Sequence, residues 1–331
     1  MSDFKLSILV ITYNHEKYIV QALNSIVEQH KDFSYEVLIG EDASTDRTAD
    51  ILRHYDPSAL QNFRVYYRET NIGALNNILD LIQKAQGEYL IVLEGDDYWI
   101  SPDKLQRQIE FLDYNKDFIA VSHKCLLVDK NSIPLPFAYS AECYHKDYTL
   151  KDFRKGILPG QTTTILYRNI YKNELVKTDL TRIDNFPGDR RFAFLLAANG
   201  KIRCWDEKMS AYRYVLLDGK SHSATTKEDR NYLEAQLNFY KSIYTYSKSN
   251  RCSGNTRKIA AQCYFKVLFR DQFRKFSIWP RRSFLIEILP AEYKFSIALW
   301  ILISIFVWPF ERLTYKRYLA LARRVEKDRM F

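Results

Sequence analysis

Residues 6–12 (LSILVIT) form an unbroken apolar run rich in β-branched side chains, which predicts a strand buried on both faces. Behind it, Ile19, Ala22, Leu23, Ile26 and Val27 recur at helical spacing as far as Gln29, with Asn14 placed to cap that helix. The alternation then repeats. Residues 35–40 predict a second buried strand, 46–55 a short helix, 63–67 a third strand, and 75–85 a helix stopped by Gly87. Residues 88–93 predict a fourth strand. Ser101 and Pro102 open the next helix as N-cap and first-turn proline, and residues 118–128 predict a further strand. Between 130 and 155 the pattern is irregular. Residues 161–167 then predict a strand, and 189–198 a helix ending at Asn199-Gly200. Beyond about Thr226 the chain changes to helical segments rich in Lys, Arg, Tyr and Phe.

Strands alternating with helices predict right-handed βαβ units, hence an α/β fold on a mainly parallel twisted sheet flanked by helices. Sheets of that kind bind ligands beyond the carboxyl ends of their strands. The acids stand at those ends: Asp42 follows the second strand, and Asp96 and Asp97 follow the fourth.

Composition changes this picture in two places. The chain of 331 residues is 47% hydrophobic and 27% charged, as a globular protein requires. Its net charge of +9 is uneven: residues 251–331 hold 17 Lys and Arg against 6 Asp and Glu, a net +11, and residues 1–250 a net −2. Two parts of the chain therefore face different partners. The five cysteines form no C-x-x-C pair, so neither a disulfide framework nor a zinc knuckle is predicted. With no leader-like pattern at the start of the sequence, a cytoplasmic location is the expectation.

Glu94-Gly95-Asp96-Asp97 is the candidate metal site, because adjacent carboxylates on a strand-to-loop turn can hold a hard divalent ion that also takes diphosphate oxygens. A plain Gly-Asp-Asp turn is the competing interpretation. Asp42 is placed to accept the imide N–H of uracil, whereas Ser44 and Asp46 fit helix capping better. On spacing alone Asp189 fits a first-turn acid that favours the helix dipole. Gly219-Lys220-Ser221 lacks the upstream glycine of a phosphate loop, Tyr214 standing there, and the six histidines form no H-E-x-x-H cluster. His222 is a candidate extra metal ligand.

Four groups occur in order: Thr12-Tyr13-Asn14, Glu41-Asp42-Ala43-Ser44-Thr45-Asp46, Asn71-Ile72-Gly73 and Leu93-Glu94-Gly95-Asp96-Asp97-Tyr98-Trp99. Together they resemble the family 2 glycosyltransferases of the GT-A fold, over about residues 5–225. The resemblance implies an inverting transferase that needs Mn²⁺ or Mg²⁺. It implies that Thr12, Tyr13, Asn14, Asp42 and Asn71 line the donor pocket, and that Asp96 and Asp97 meet ribose, diphosphate and metal, with the choice between the two left open. Phe186-Pro187-Gly188-Asp189 resembles the start of the family's base-bearing helix, which makes Asp189 the expected general base. Met209 to Arg213 resembles the segment that closes the catalytic domain. Two departures stand out: Glu94 occupies the first acidic position of the common D-x-D-D pattern, and no His follows Tyr212-Arg213 closely.

The expected organisation is a catalytic domain over 1–225 and a helical, basic and apolar region over 226–331. Residues 295–310 (FSIALWILISIFVWPF) carry no charge. As a helix they would span about 24 Å, short of a bilayer core of about 30 Å. Flanked by Arg281, Arg282, Arg312, Lys316 and Arg317, the segment fits attachment to the inner membrane surface. A core helix or a dimer face would show the same pattern. A nucleic-acid partner does not fit so long an uncharged run. The expected partners are a UDP-sugar donor and a saccharide acceptor, lipid-linked in cell-surface polysaccharide synthesis. The alternatives are a sugar nucleotidyltransferase, which would need a glycine-rich loop where Thr12-Tyr13-Asn14-His15 stands, and a non-catalytic scaffold, against which the intact acids argue.

Overall fold

The apolar run at the start of the chain is the middle of a sheet. The computed structural model describes residues 4–138, 143, 146–172, 188–214, 230–248 and 252–276. Among them the order along the sheet is β3 (Phe63–Tyr67), β2 (Tyr35–Glu41), β1 (Phe4–Thr12), β4 (Gly87–Glu94), β8 (Leu166–Arg168), β6 (Phe118–Val128), β9 (Lys201–Arg213) and β5 (Tyr98–Trp99), with β7 (Lys146–Tyr148) on β9. The long pairings, β3–β2–β1–β4 and β6–β9, are parallel; those to β5, β7 and β8 are short and antiparallel.

β1 lies between two strands, and both of its faces are covered, which is why its run is apolar throughout. Leu6, Ile8 and Val10 pack with Ile19, Leu23 and Ile26 of α1 (Ile19–Val27) and with Leu105, Ile109 and Leu112 of α4 (Lys104–Tyr114). The other face of β1 and β2 meets α3 (Ala74–Lys84), which buries Ile78, Leu81 and Ile82. Glycine is required where backbones crowd. A Cβ on Gly87 would stand 2.4 Å from Ser7 N, so Gly87 begins β4 beside β1 rather than ending α3.

Other expectations shift as well. α4 starts at Lys104, and Ser101 serves it through its carbonyl, which accepts the Lys104 N–H. Residues 162–164 make a 3₁₀ turn before β8, in place of one continuous strand. Asn14 does not cap α1. It sits at φ 59° and is engaged elsewhere.

The chain divides into two compact units: residues 1–152, 156–177 and 192–214, and residues 153–155, 178–191 and 215–331. The first holds the sheet. Described parts of the second include α7 (Arg230–Ser247) and α8 (Gly254–Phe276), whose Tyr244 and Tyr264 stack at 5.6 Å. No described helix is long and apolar enough to cross a membrane, and residues 281–331, with the run at 295–310, lie outside the described residues.

Candidate active site

Three neighbouring parallel strands end level with one another. Thr12 of β1 pairs with Glu41 of β2, and Ile11 with Glu94 of β4, so the loops after β1, β2 and β4 leave the sheet side by side. The first two are stitched together. Asn14 donates its N–H to Ser44 Oγ at 2.9 Å and accepts the Thr45 N–H at 2.8 Å; Glu16 N–H donates to Asp46 Oδ2 at 3.1 Å. Asp46 also accepts the Thr48 N–H from one residue ahead of Arg47, the N-cap of α2 (Thr48–His54), which has no side-chain cap bond of its own; Ser44 ties loop to loop instead of capping. Ala43 is held at φ 57°, a left-handed conformation that costs a non-glycine residue about 1 kcal/mol.

Asp42 is buried, and its two oxygens accept the N–H groups of Ile72 and Gly73 at 2.9 Å each. Each carboxylate oxygen keeps a second lone pair, so the residue both shapes the 71–73 loop and can accept a further donor. Asn71 accepts the Gly73 N–H in the same loop, and Tyr13 is exposed beside these residues' loops. Beneath them Asn77 donates to the Gly40 carbonyl at 2.8 Å; a side chain on residue 40 would collide with it.

The third loop is the acidic turn. Ligand atoms of Glu94, Asp96 and Asp97 lie within 4.8 Å of one another. Oxygens that each lie about 2.0–2.6 Å from one ion can be at most about 5 Å apart, so the cluster has the dimensions of a divalent site. Asp97 is 1% exposed; its Oδ1 accepts the Arg213 N–H at 2.9 Å, and its Oδ2 has no hydrogen-bond partner. Burial, and then the neighbouring Asp96 and Glu94 carboxylates, push its pKa well above the carboxylate range. An orphaned, buried acceptor facing two more carboxylates fits a cation. Two such charges about 5 Å apart repel by about 3 kcal/mol at a protein-like dielectric, which a bound cation would relieve.

Three residues were not singled out by sequence reasoning. Arg213, 3% exposed, clamps the turn: Nε donates to the Asp96 carbonyl at 2.9 Å, one terminal nitrogen reaches the Asp129 carbonyl at 3.0 Å, and the other reaches Gln21 Oε1 at 2.9 Å. The guanidinium lies 4.1 Å from the centre of the Tyr18 ring. Gln161 donates to Glu94 Oε2 at 3.4 Å. His15 places Nε2 3.8 Å from Asp96 Oδ1. Their partners lie far away in sequence, except that Arg213 sits in the segment whose resemblance was noted.

The first unit thus brings together Thr12, Tyr13, Asn14, Asp42, Asn71, Asp96 and Asp97. Asp189 belongs to the second unit. It is exposed in the first turn of α6 (Gly188–Asn199), and its Oδ1 accepts the Arg190 N–H at 2.7 Å. His222 lies outside the described residues.

The model of the glycosyl transferase family 2 matches residues 7–174. An uncharacterized protein of Mycobacterium tuberculosis, Rv1520, is 33% identical over 225 residues, 67% of this chain and 62% of its own length. The poly(ribitol-phosphate) β-N-acetylglucosaminyltransferase TarS of Staphylococcus aureus is 34% identical over 125 residues, 36% of this chain and 21% of its own. The chain therefore spans less than two thirds of the length of these curated relatives. The crystal structure of TarS residues 1–349 with UDP-GlcNAc superposes at a TM-score of 0.59 and 20% identity, covering 98% of this chain and 91% of that one, and so shares its GT-A fold. By its family model, its ordered motifs and its fold, this chain belongs to glycosyl transferase family 2.

Proposed function

We propose that the protein is an inverting, metal-dependent glycosyltransferase. It moves a sugar from a UDP-sugar to an acceptor hydroxyl in cell-surface polysaccharide synthesis. The observation that carries this reading is Asp97 Oδ2, buried without a partner among Glu94 and Asp96 at the level strand ends. Mn²⁺ or Mg²⁺ held by these acids would supply the positive charge that a departing diphosphate needs. Thr12, Tyr13 and Asn14 line the donor pocket, Asp42 takes the imide N–H of the base, and Asn71 shapes the loop beside it. Asp189 is the general base that removes the acceptor proton as the hydroxyl attacks from the side opposite the leaving group. His222 is a further candidate ligand. The UDP-GlcNAc bound by TarS supports a UDP donor, and the polymer named in that enzyme's activity supports a cell-surface acceptor.

Residues 1–225 would form the catalytic domain and 226–331 a membrane-associating region. The uncharged run at 295–310 and the net +11 of residues 251–331 support a peripheral position at the inner membrane face and a lipid-linked acceptor. Sedimentation with anionic liposomes checks this: binding that weakens in high salt without full release is expected, and a protein that ignores the vesicles would remove the lipid-linked acceptor.

The test of the central reading is thermal stabilisation and sugar release across a panel of nucleotide sugars, each with Mn²⁺ or Mg²⁺ and with EDTA. One UDP-sugar should stabilise the fold in the presence of metal. Indifference to every nucleotide sugar would sink the proposal.

A further inference from the structure

His15 has no part in the chemistry above, yet it is among the most restrained residues of the site. Its N–H donates to Thr48 Oγ1 at 2.8 Å, and its carbonyl accepts the N–H groups of Tyr18 and Ile19 at 2.9 Å each, at the entry to α1. The ring is restrained too. Nδ1 lies 3.3 Å from Thr12 Oγ1, and Thr12 is buried. Nε2 lies 3.8 Å from Asp96 Oδ1, an ion-pair rather than a hydrogen-bond distance. The acidic turn rests against the ring: a Cβ on residue 95 would stand 2.8 Å from His15 Nδ1 and 2.9 Å from Thr12 Cβ. Glycine at 95 is what lets the turn approach, and His15 is what it approaches.

The Thr12 hydroxyl can donate to Nδ1 or accept from it; in the tautomer in which it donates, the ring N–H is on Nε2 and faces Asp96. Asp96 needs such a partner more than Asp97 does. Asp97 is fixed by burial and by the Arg213 N–H. The Asp96 side chain is 26% exposed, and the Arg213 side chain grips the Asp96 carbonyl, not its carboxylate.

We infer that His15 is a positioning residue for Asp96. Its ring stands 3.8 Å from Asp96 Oδ1 and restrains that carboxylate beside the acidic cluster. This rests on the metal-dependent donor site proposed above. Partners that orient a ligating group typically contribute tenfold to a hundredfold in metal affinity.

The experiment measures Mn²⁺ binding without turnover, by the EPR signal of free Mn²⁺ with UDP present, for the wild type, His15→Ala and His15→Gln. Glutamine keeps a neutral N–H donor at nearly the reach of Nε2. The inference expects His15→Ala to bind Mn²⁺ tenfold to a hundredfold more weakly and His15→Gln to stay within about threefold of wild type. Melting temperatures in EDTA should match for all three, which separates positioning from folding. Wild-type affinity in His15→Ala would overturn the inference and leave the donor-site reading standing. An equal loss in both variants would overturn it as well, since the imidazole itself, not its N–H, would then matter. If the wild type binds no Mn²⁺, the donor-site reading fails first and the inference falls with it.

Discussion

Strand β4 has acids at both ends, and the two ends treat them oppositely. At the amino ends Lys5 reaches Glu88 at 2.9 Å and Asp113 at 2.8 Å, and Tyr89 OH also donates to Asp113 at 2.8 Å. Burial would raise the Asp113 pKa, but the bonds from Lys5 and Tyr89 outweigh it and hold the carboxyl below its usual range. At the carboxyl ends burial raises Asp97, and Asp96 and Glu94 raise it further. The fold completes the first set of charges by itself. In the second set Asp97 Oδ2 is buried without a hydrogen-bond partner, and a strongly perturbed carboxylate of that kind is the pattern that marks candidate functional sites.

Removing the orphaned charge should produce the largest effect. Asp97→Asn is expected to lower transfer by about 10³-fold, about 4 kcal/mol of transition-state stabilisation. In EDTA the same variant should be more stable than wild type by about 1 kcal/mol, because the amide relieves repulsion and can donate to its neighbours. Transfer assays with Mn²⁺ check the first half and thermal melts in EDTA the second. A variant that is active, or that is less stable in EDTA, breaks the contrast between the two strand ends.

Asp189→Asn comes next. A general base contributes about 10²–10⁴-fold, so turnover should fall in that range, while affinity for UDP stays within about twofold. Asp189 is exposed in a first turn, so its loss should leave the fold intact. Unchanged turnover would return it to a helix-start role. Product that keeps the donor's anomeric configuration would contradict a single displacement.

Most of the strands that were legible in sequence are buried on both faces; β3, only partly buried, was legible from its Phe, Val and Tyr residues. β1, β2 and β4 are mainly apolar runs, β6 is one interrupted by Ser122-His123-Lys124, and no helix period competes with them. The acids at their ends were legible for the same reason, since a strand's end fixes where the next residue stands. β9 was not legible. Its sequence KIRCWDEKMSAYR has polar residues through the middle, and residues 205–208 are at most half-buried; pairing with β6, across three register shifts, makes it a strand. β5 and β7, of two and three residues, exist only as partners of β9. Arg213 and His15 were hidden for a different reason. A lone basic residue says nothing until its partner is known, and Arg213 meets Asp97 from 116 residues away. Asn14 shows the opposite error. A residue suited to capping was taken by a neighbouring loop, and tertiary contact decided.

Arg213 sharpens the contrast at a smaller scale. Its planar guanidinium serves the Asp96 carbonyl, the Asp129 carbonyl and Gln21 at once, a geometry that an ammonium cannot reproduce. Arg213→Lys should therefore cost about 2 kcal/mol of stability and weaken Mn²⁺ binding, since the turn loses its clamp. Urea melts and Mn²⁺ titration would show the two losses together. Loss of stability with unchanged metal affinity would mean that the acidic turn holds its shape without the clamp.

The smallest effect tests the other end of the strands. Asp113→Asn should destabilise by about 1 kcal/mol at pH 7, the usual scale for a partly exposed ion pair, so its sign in EDTA is opposite to that of Asp97→Asn. The pH dependence follows from the shifts. The folded-state pKa of Asp113 is depressed, so its contribution is present above the unfolded value near 4 and is lost as pH falls through the folded one. For Lys5, burial lowers the pKa, but Asp113 and Glu88 raise it more; its contribution is present below the unfolded value of about 10.5 and is lost as pH rises through the folded one. The gap in stability between wild type and Asp113→Asn should thus be open between about pH 5 and 10 and should narrow below pH 4. Urea midpoints at pH 7 and pH 3 are sufficient to see it. Were Asp113→Asn as stable as wild type at pH 7, the pairing at the amino ends would contribute nothing measurable. The distinction between the two ends would then rest on Asp97 and on the Lys5–Glu88 pair: a site defined by one destabilising carboxylate, with a weaker compensated counterpart at the amino ends.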